Sequence, residues 1–248
     1  MDKKLKIALA QLNPLVGDVS GNIDKLISIR AGLKDDVDIL VAPELYVSGY
    51  PIDDLVLRED FLNLVEKEIN KLADSTKDKK SAIIVGAPRK DNNSIKNSVF
   101  VIENGKIISI KDKYELPNTG VFDEQRIFKQ GSLEDCVDIK GVKFGLPICE
   151  DIWEKTVLEK LSKSGAEIII AINASPFTVS KNEEREIVTK LRVDETKLPI
   201  VYLNRTGGQD ELIFDGSSFA LNHDGKKFYN SSEFKEETAQ ISFQKTNG

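Results

Sequence analysis

Short apolar runs alternate with amphipathic helical segments along this chain of 248 residues, and this alternation constrains the fold more than any other feature. The apolar runs predict strands at 6–12, 38–42, 81–88, 142–148, 167–172 and 199–204. Apolar residues at helical spacing predict helices near 23–33, 61–72, 157–161 and 182–197. In the last helix, Ile187, Val188 and Leu191 are predicted to face the core, and the charged run 183–186 to face solvent. This alternation is typical of α/β folds, in which helices cover the sheets and reactive groups collect at the carboxyl ends of strands.

Two hairpins add antiparallel strands to this pattern. The first spans 97–111 with a turn at Asn104-Gly105, and the second spans 214–228 with a turn at Asp224-Gly225. Between the two rounds of strands and helices lies a polar stretch, 112–131, with little periodicity. Loops of this length inside a compact domain are usually functional or disordered.

Composition limits the partners that such a chain can have. A hydrophobic content of 40% over this length favours one domain, which we place at 1–230, followed by a polar C-terminal tail at 231–248. The net charge of -6 and the lack of a basic face argue against nucleic acid. No apolar run approaches the roughly 18 residues that span a bilayer, which argues against a membrane. Two cysteines, Cys136 and Cys149, make no disulfide framework and no apolar leader precedes the first strand, so we predict a cytoplasmic protein.

Cys149 is the candidate nucleophile, because it follows the apolar run 142–148 and precedes the polar Glu150 and Asp151. Considered alone, a cysteine at the end of an apolar strand is more often inert, by about ten to one. A thiol attacks as thiolate, and enzymes usually supply an imidazole to form it. The single histidine, His223, lies in a predicted hairpin tip. If Cys149 is reactive, a lysine and a carboxylate must therefore activate it.

Three motifs in order resemble the signature of the nitrilase (carbon-nitrogen hydrolase) family. They are Pro43-Glu44-Leu45, Lys113 before Leu116-Pro117-Asn118, and Ile148-Cys149-Glu150-Asp151. Further motifs, at 48–51, 120–124, 149–153, 173–177 and 207–212, resemble the N-terminal glutaminase domain of glutamine-dependent NAD synthetases. The resemblance implies a four-layer α-β-β-α sandwich with two mixed sheets, at whose strand ends Glu44, Lys113 and Cys149 meet.

The resemblance also implies roles for side chains. Cys149 would attack the side-chain amide of glutamine, Lys113 and a backbone N–H near Glu150 would stabilise the oxyanion, and Glu44 would transfer protons. The substrate-binding candidates are Ser175 and Lys181 for the α-carboxylate, Glu150 and Tyr50 for the α-ammonium, and Trp153 and Phe177 for the pocket walls. Thr119 departs from the family pattern, which usually has tyrosine there.

The ammonia released would serve an ATP-dependent NAD synthetase domain or subunit, and 231–248 would begin the linker to it. Since the chain has no Gly-rich nucleotide motif, we expect no cofactor and no metal here; ATP and Mg would belong to the synthetase. Relatives of this kind also suggest a homo-oligomer. Two alternatives stay open: a free-standing amidase for another ω-amide or carbamoyl substrate, and a catalytically silent scaffold that binds a partner.

Overall fold

A computed structural model describes residues 3–245, which form two six-stranded mixed sheets and five α-helices. The strands are β1 Lys3–Gln11, β2 Ile39–Val41, β3 Ala82–Asp91, β4 Ser94–Glu103, β5 Lys106–Asp112, β6 Val137–Ile139, β7 Val142–Gly145, β8 Ile168–Asn173, β9 Ile200–Asn204, β10 Thr206–Gln209, β11 Leu212–Asp215, β12 Phe219–Leu221, β13 Lys227–Asn230 and β14 Glu237–Lys245. The helices are α1 Val19–Ala31, α2 Glu59–Ser75, α3 Glu124–Ile127, α4 Lys155–Lys163 and α5 Lys181–Thr196. Short 3₁₀ turns occupy Asp53–Leu57, Thr76–Asp78 and Cys149–Ile152.

Each sheet has a parallel centre with antiparallel strands at its edges. The first sheet has the order β14-β1-β2-β3-β4-β5, with β1, β2 and β3 parallel. The second has the order β13-β12-β9-β8-β7-β6, with β7, β8 and β9 parallel. Parallel strands end at the same edge of a sheet, so the loops that leave these strands are neighbours.

Side chains along each strand point alternately to the core between the sheets and to the helices on the outer face. In β8, Ile168 and Ile170 point into the core between the two sheets, whereas Ile169 packs against the helices of the outer face. The first sheet behaves in the same way, with Ile84 facing the other sheet and Val85 facing α1 and α2. Because both faces of each sheet are covered, the chain forms the four-layer α-β-β-α sandwich that was expected.

Both predicted hairpins are present, but the second begins later in the chain than predicted. Asn104 and Gly105 both have positive φ, 52° and 80°, as the tight turn between β4 and β5 requires. The second hairpin joins β12 to β13, and His223 is exposed in its loop. Phe214 lies instead in β11, which pairs with β10 in a separate two-stranded sheet.

The prediction for the inner face of α5 was wrong for Ile187 and Leu191, whereas Val188 is half-buried. Ile187 and Leu191 are 60% and 47% exposed, whereas the buried positions are Arg185, Thr189, Arg192 and Val193. The cause is electrostatic, because Arg185 reaches inward to pair with the buried carboxylate of Asp215, with Nη1 2.9 Å from both oxygens. A buried ion pair sets the rotation of this helix in place of its aliphatic side chains.

The prediction of a polar tail at 231–248 needs correction for residues 237–245. These form β14, which pairs antiparallel with β1 along its length, and Ile241 is buried against the inter-sheet core. The alternation of Ala239, Ile241 and Phe243 with polar residues is the signal of a half-buried edge strand. Residues 246–248, where a linker would begin, lie outside the described residues. Across 3–245, none of the helices has the length and apolar character needed to cross a membrane.

Candidate active site

Three strand ends bring the predicted catalytic residues together. Glu44 follows β2, Lys113 follows β5 directly, and Cys149 begins the 3₁₀ turn after β7. All three are buried, with exposed fractions of 1%, 1% and 4%. The Nζ atom of Lys113 lies 2.8 Å from Oε1 of Glu44, and the charges of both groups act on the pKa of the Cys149 thiol. Positions 44, 113 and 149 therefore share one site.

The carboxylate of Glu44 is oriented by donors from several elements. Oε1 accepts hydrogen bonds from Lys113 Nζ and from Asn97 Nδ2, each at 2.8 Å. Oε2 accepts one from the backbone N–H of Ala174, also at 2.8 Å, just beyond β8. A buried carboxylate with this many donors is fixed in place, as a group that transfers protons must be.

The backbone around Glu44 lies so close to β3 that Gly86 leaves no room for a side chain. A Cβ at Gly86 would lie 2.4 Å from the N atom of Leu45 and 2.7 Å from Cα of Glu44. We expect Gly86→Ala to lower the free energy of unfolding by about 1–3 kcal/mol, because this overpacking presses on backbone. Gly32→Ala is the matched control, since its Cβ would meet backbone oxygens at an ordinary 3.6 Å. Urea unfolding of both variants measures the difference, and equal stability would contradict it.

A second carboxylate, Glu124, completes the surroundings of Lys113. Both of its oxygens lie 2.9 Å from Lys113 Nζ, and Oε1 also accepts a hydrogen bond from the Tyr50 hydroxyl at 3.1 Å. Glu124 opens α3 inside the polar stretch 112–131 and is 4% exposed. Glu124 ends the motif at 120–124, but that motif alone does not indicate a role for its carboxylate.

Electrostatics set the resting protonation of the site. Burial alone would lower the pKa of Lys113, but the charges of Glu124 and Glu44 outweigh it and hold that pKa well above its usual value. Burial, with the charge of Glu44 added, raises the pKa of the Cys149 thiol well above its usual value, although Lys113 partly opposes this. At neutral pH the resting site therefore holds an ammonium and a neutral thiol.

Three of the predicted substrate-binding residues lie side by side. Lys181 Nζ sits 4.3 Å from the centre of the Trp153 ring, an arrangement that suits a cation over an aromatic face. Glu150 is half-buried, and burial raises the pKa of its carboxyl. The charges of Lys113 and Lys181 both oppose this shift. This cluster offers charges of both signs next to Cys149.

Of the other three predicted substrate-binding residues, Tyr50 and Ser175 are buried, and Phe177 lies at the surface. Tyr50 is buried, and its hydroxyl is engaged by Glu124. Ser175 is also buried, and its hydroxyl accepts a hydrogen bond from Arg185 Nε at 3.1 Å. Arg185 itself is buried, so the prediction that the run 183–186 faces solvent was wrong for this residue. Phe177 is 39% exposed and packs edge-on against Phe234, with ring centres 5.3 Å apart, so it lies at the surface.

Within residues 3–245, no group of three or more His, Cys, Asp or Glu side chains could hold a metal ion.

Thr119, the departure from the family pattern, is exposed in the loop before α3. Cys136 is half-buried and its thiol is directed to the carbonyl of Ser164 at 3.2 Å.

Comparison with known proteins gives consistent matches. The chain is 37% identical over 246 residues to the glutamine-dependent NAD(+) synthetase of Rhodobacter capsulatus, which covers 99% of this chain and 44% of that protein. The structure of glutamine-dependent NAD+ synthetase from Acinetobacter baumannii, in complex with ADP, superposes with a TM-score of 0.90 at 36% identity, over 97% of this chain and 46% of that one. The chain therefore spans less than half the length of these synthetases.

A more distant neighbour shares the fold over most of its own length. It is a variant of the amidase from Nesterenkonia sp. AN1 with acrylamide added at its active-site cysteine, with a TM-score of 0.82 at 17% identity, over 96% of this chain and 92% of that one. The family profile described as carbon-nitrogen hydrolase matches residues 6–246. The family profile supports hydrolysis of a carbon-nitrogen bond, and the amidase shares the fold. The chain belongs to the carbon-nitrogen hydrolase family.

Proposed function

We propose that this chain hydrolyses the side-chain amide of glutamine to glutamate and ammonia through a thioester on Cys149. The observation that carries the proposal is the buried ammonium of Lys113, held between the carboxylates of Glu44 and Glu124 where its charge acts on the Cys149 thiol. A thiol with a nearby cation and proton acceptor has what a cysteine nucleophile needs without an imidazole.

The proposed reaction has two halves. In the first, Glu44 takes the thiol proton as sulfur attacks the amide carbon, and Lys113 with a backbone N–H near Glu150 stabilises the oxyanion; each such donor is typically worth about 10²–10³-fold in rate. Glu44 then gives the proton to the leaving nitrogen, and ammonia departs. In the second half Glu44 deprotonates a water that attacks the thioester carbonyl, and the thiol leaves with the proton restored.

The ends of glutamine would be bound by charges of opposite sign. Lys181, with Ser175, would take the α-carboxylate, while Glu150 and Tyr50 would take the α-ammonium end. The charge of Lys181 acts on the pKa of the Glu150 carboxyl, so this cluster offers a charge of each sign for the two charged groups of an amino acid. Trp153 and Phe177 would bound the pocket, Trp153 beneath Lys181 and Phe177 at the rim.

The ammonia would be used by an ATP-dependent NAD synthetase domain or subunit. Support comes from the synthetases that the chain matches at 37% and 36% identity, of which it covers less than half. On this proposal ATP and Mg act in the synthetase, and the amidase domain works without a cofactor or metal. A cytoplasmic location and a homo-oligomer belong to the same proposal.

A panel of amides tests the substrate. We expect ammonia release from glutamine to exceed that from asparagine by about 10- to 200-fold in kcat/KM, because one methylene less keeps the amide from the sulfur while both charged ends are bound. N-carbamoyl amino acids and short aliphatic amides should be poorer still. If either kind of compound reacted faster than glutamine, glutamine would not be the substrate. The substrate would then be another ω-amide or a carbamoyl compound.

A further inference from the structure

One buried carboxylate connects the two backbone segments that carry the amine and the thiol. Asp151 is 3% exposed and lies two residues after Cys149. Its Oδ1 accepts hydrogen bonds from the backbone N–H groups of Tyr114 and Glu115, at 3.1 and 2.7 Å, and its Oδ2 accepts one from that of Ile148 at 2.9 Å. All three donors are backbone groups next to catalytic positions.

The three backbone donors flank Lys113 and Cys149 in the sequence. Tyr114 and Glu115 directly follow Lys113, which leaves the first sheet, whereas Ile148 directly precedes Cys149, which leaves the second. The other backbone bonds of Lys113 run to Asn97 and Gly131 and do not reach the Cys149 turn. The Asp151 carboxylate therefore ties the end of one sheet to the end of the other at the point where ammonium and thiol must meet.

Burial of this carboxylate has a cost in free energy that its hydrogen bonds only partly offset. Burial raises the pKa of Asp151 to about 7, against the opposing effect of the three N–H donors and the charge of Lys113. None of the ion pairs found within residues 3–245 involves Asp151. A buried carboxylate without a cationic partner carries a desolvation cost, whereas an apolar side chain would leave three backbone N–H groups without this acceptor.

We propose that Asp151 is a positioning residue of the amide-hydrolysing site, which sets the distance between the Lys113 ammonium and the Cys149 thiol by holding their backbone segments together. It acts through these segments and touches neither substrate nor the reacting atoms. The inference rests on the proposed function, since positioning has a kinetic consequence only if this site is the one that reacts.

Asp151→Asn is the test, because asparagine keeps the shape and one acceptor oxygen but directs an NH₂ group at a backbone N–H. We expect kcat for glutamine to fall about 10- to 100-fold with KM almost unchanged, since misplacing reacting groups costs rate more than ground-state binding. Asp38→Asn is the matched control. Its Oδ2 also accepts a backbone hydrogen bond, from Lys6 at 2.9 Å, but Asp38 precedes β2, whereas Glu44 follows the other end of that strand.

A second readout needs no turnover: the rate at which iodoacetamide alkylates Cys149, followed by intact mass across neutral and alkaline pH. Removing a negative charge near the thiol would by itself lower the thiol pKa and speed alkylation. Displacing Lys113 would raise that pKa and slow alkylation at neutral pH. We therefore expect slower alkylation in Asp151→Asn and none of this slowing in Asp38→Asn.

The outcomes separate the two proposals. Faster or unchanged alkylation of Cys149 in Asp151→Asn would overturn the positioning role. The role would also fail if Asp38→Asn lost as much kcat as Asp151→Asn while the two variants were equally stable. If the wild-type chain releases no ammonia from glutamine, the proposed function fails, and the alkylation profile still decides whether Asp151 positions the thiol and the amine. Thermal unfolding of each variant separates a local effect from a loss of fold.

Discussion

Replacing Cys149 with alanine is expected to abolish ammonia release from glutamine, by at least about 10⁴-fold, while the protein stays folded. No other group at the site can form the thioester, so only direct attack by water, helped by Glu44 and the oxyanion donors, would remain. The side chain lost is small and lies at the end of the inter-sheet core, so we expect a stability change of about 1 kcal/mol. Ammonia release and thermal unfolding measure the two effects.

Cys136→Ala is the matched control, since Cys136 is the other free thiol within residues 3–245 and lies half-buried by Ser164. It should keep full activity. A chloroketone analogue of glutamine should add one label to wild type and to Cys136→Ala, none to Cys149→Ala, and free glutamine should protect. A label on Cys136, or turnover in Cys149→Ala, would contradict the nucleophile; a wild-type chain that takes no label would favour the silent scaffold.

Much of the fold could be predicted because its signals are local. The parallel strands are continuous apolar runs, and Asn104-Gly105 specifies a tight turn by its own backbone preference. The positions of Glu44, Lys113 and Cys149 at strand ends could be read from the sequence. Their convergence was expected from the ordered family motifs, because periodicity carries no information about which strand ends meet.

The features that sequence analysis missed depend on distant partners. Glu124 looks like a surface glutamate in a polar loop until Lys113 and Tyr50 are placed against it. Arg185 looks solvated because its partner, Asp215, lies 30 residues further along the chain. β14 has a weak alternation that becomes a strand only beside β1, at the other end of the chain. In each case a contact between distant segments outweighs the local preference.

Lys113→Met is expected to cost both activity and a large part of the folding stability. Methionine has a similar length but no charge, so Glu44 and Glu124 would be left buried with no cation between them. Breaking a buried ion pair in this way typically costs about 3–5 kcal/mol. The loss should be smallest near the ordinary carboxyl pKa values and grow as pH rises, because the pKa of Glu124, already raised by burial, would rise further in the folded variant and ionisation would then oppose folding. Urea unfolding over this pH range measures it.

Two further variants separate charge balance from catalysis. Adding Glu124→Gln to Lys113→Met removes one uncompensated carboxylate, so it should restore much of the stability and none of the ammonia release. Lys111→Met is the matched control, because Lys111 pairs with the partly exposed Glu134 at 3.1 Å, and a pair of this kind is worth about 1 kcal/mol or less. If the double variant were as unstable as Lys113→Met, repulsion and desolvation of the two carboxylates would not be the cause. Recovery of activity in the double variant would instead remove Lys113 from the reaction, since the oxyanion would then have formed without its ammonium.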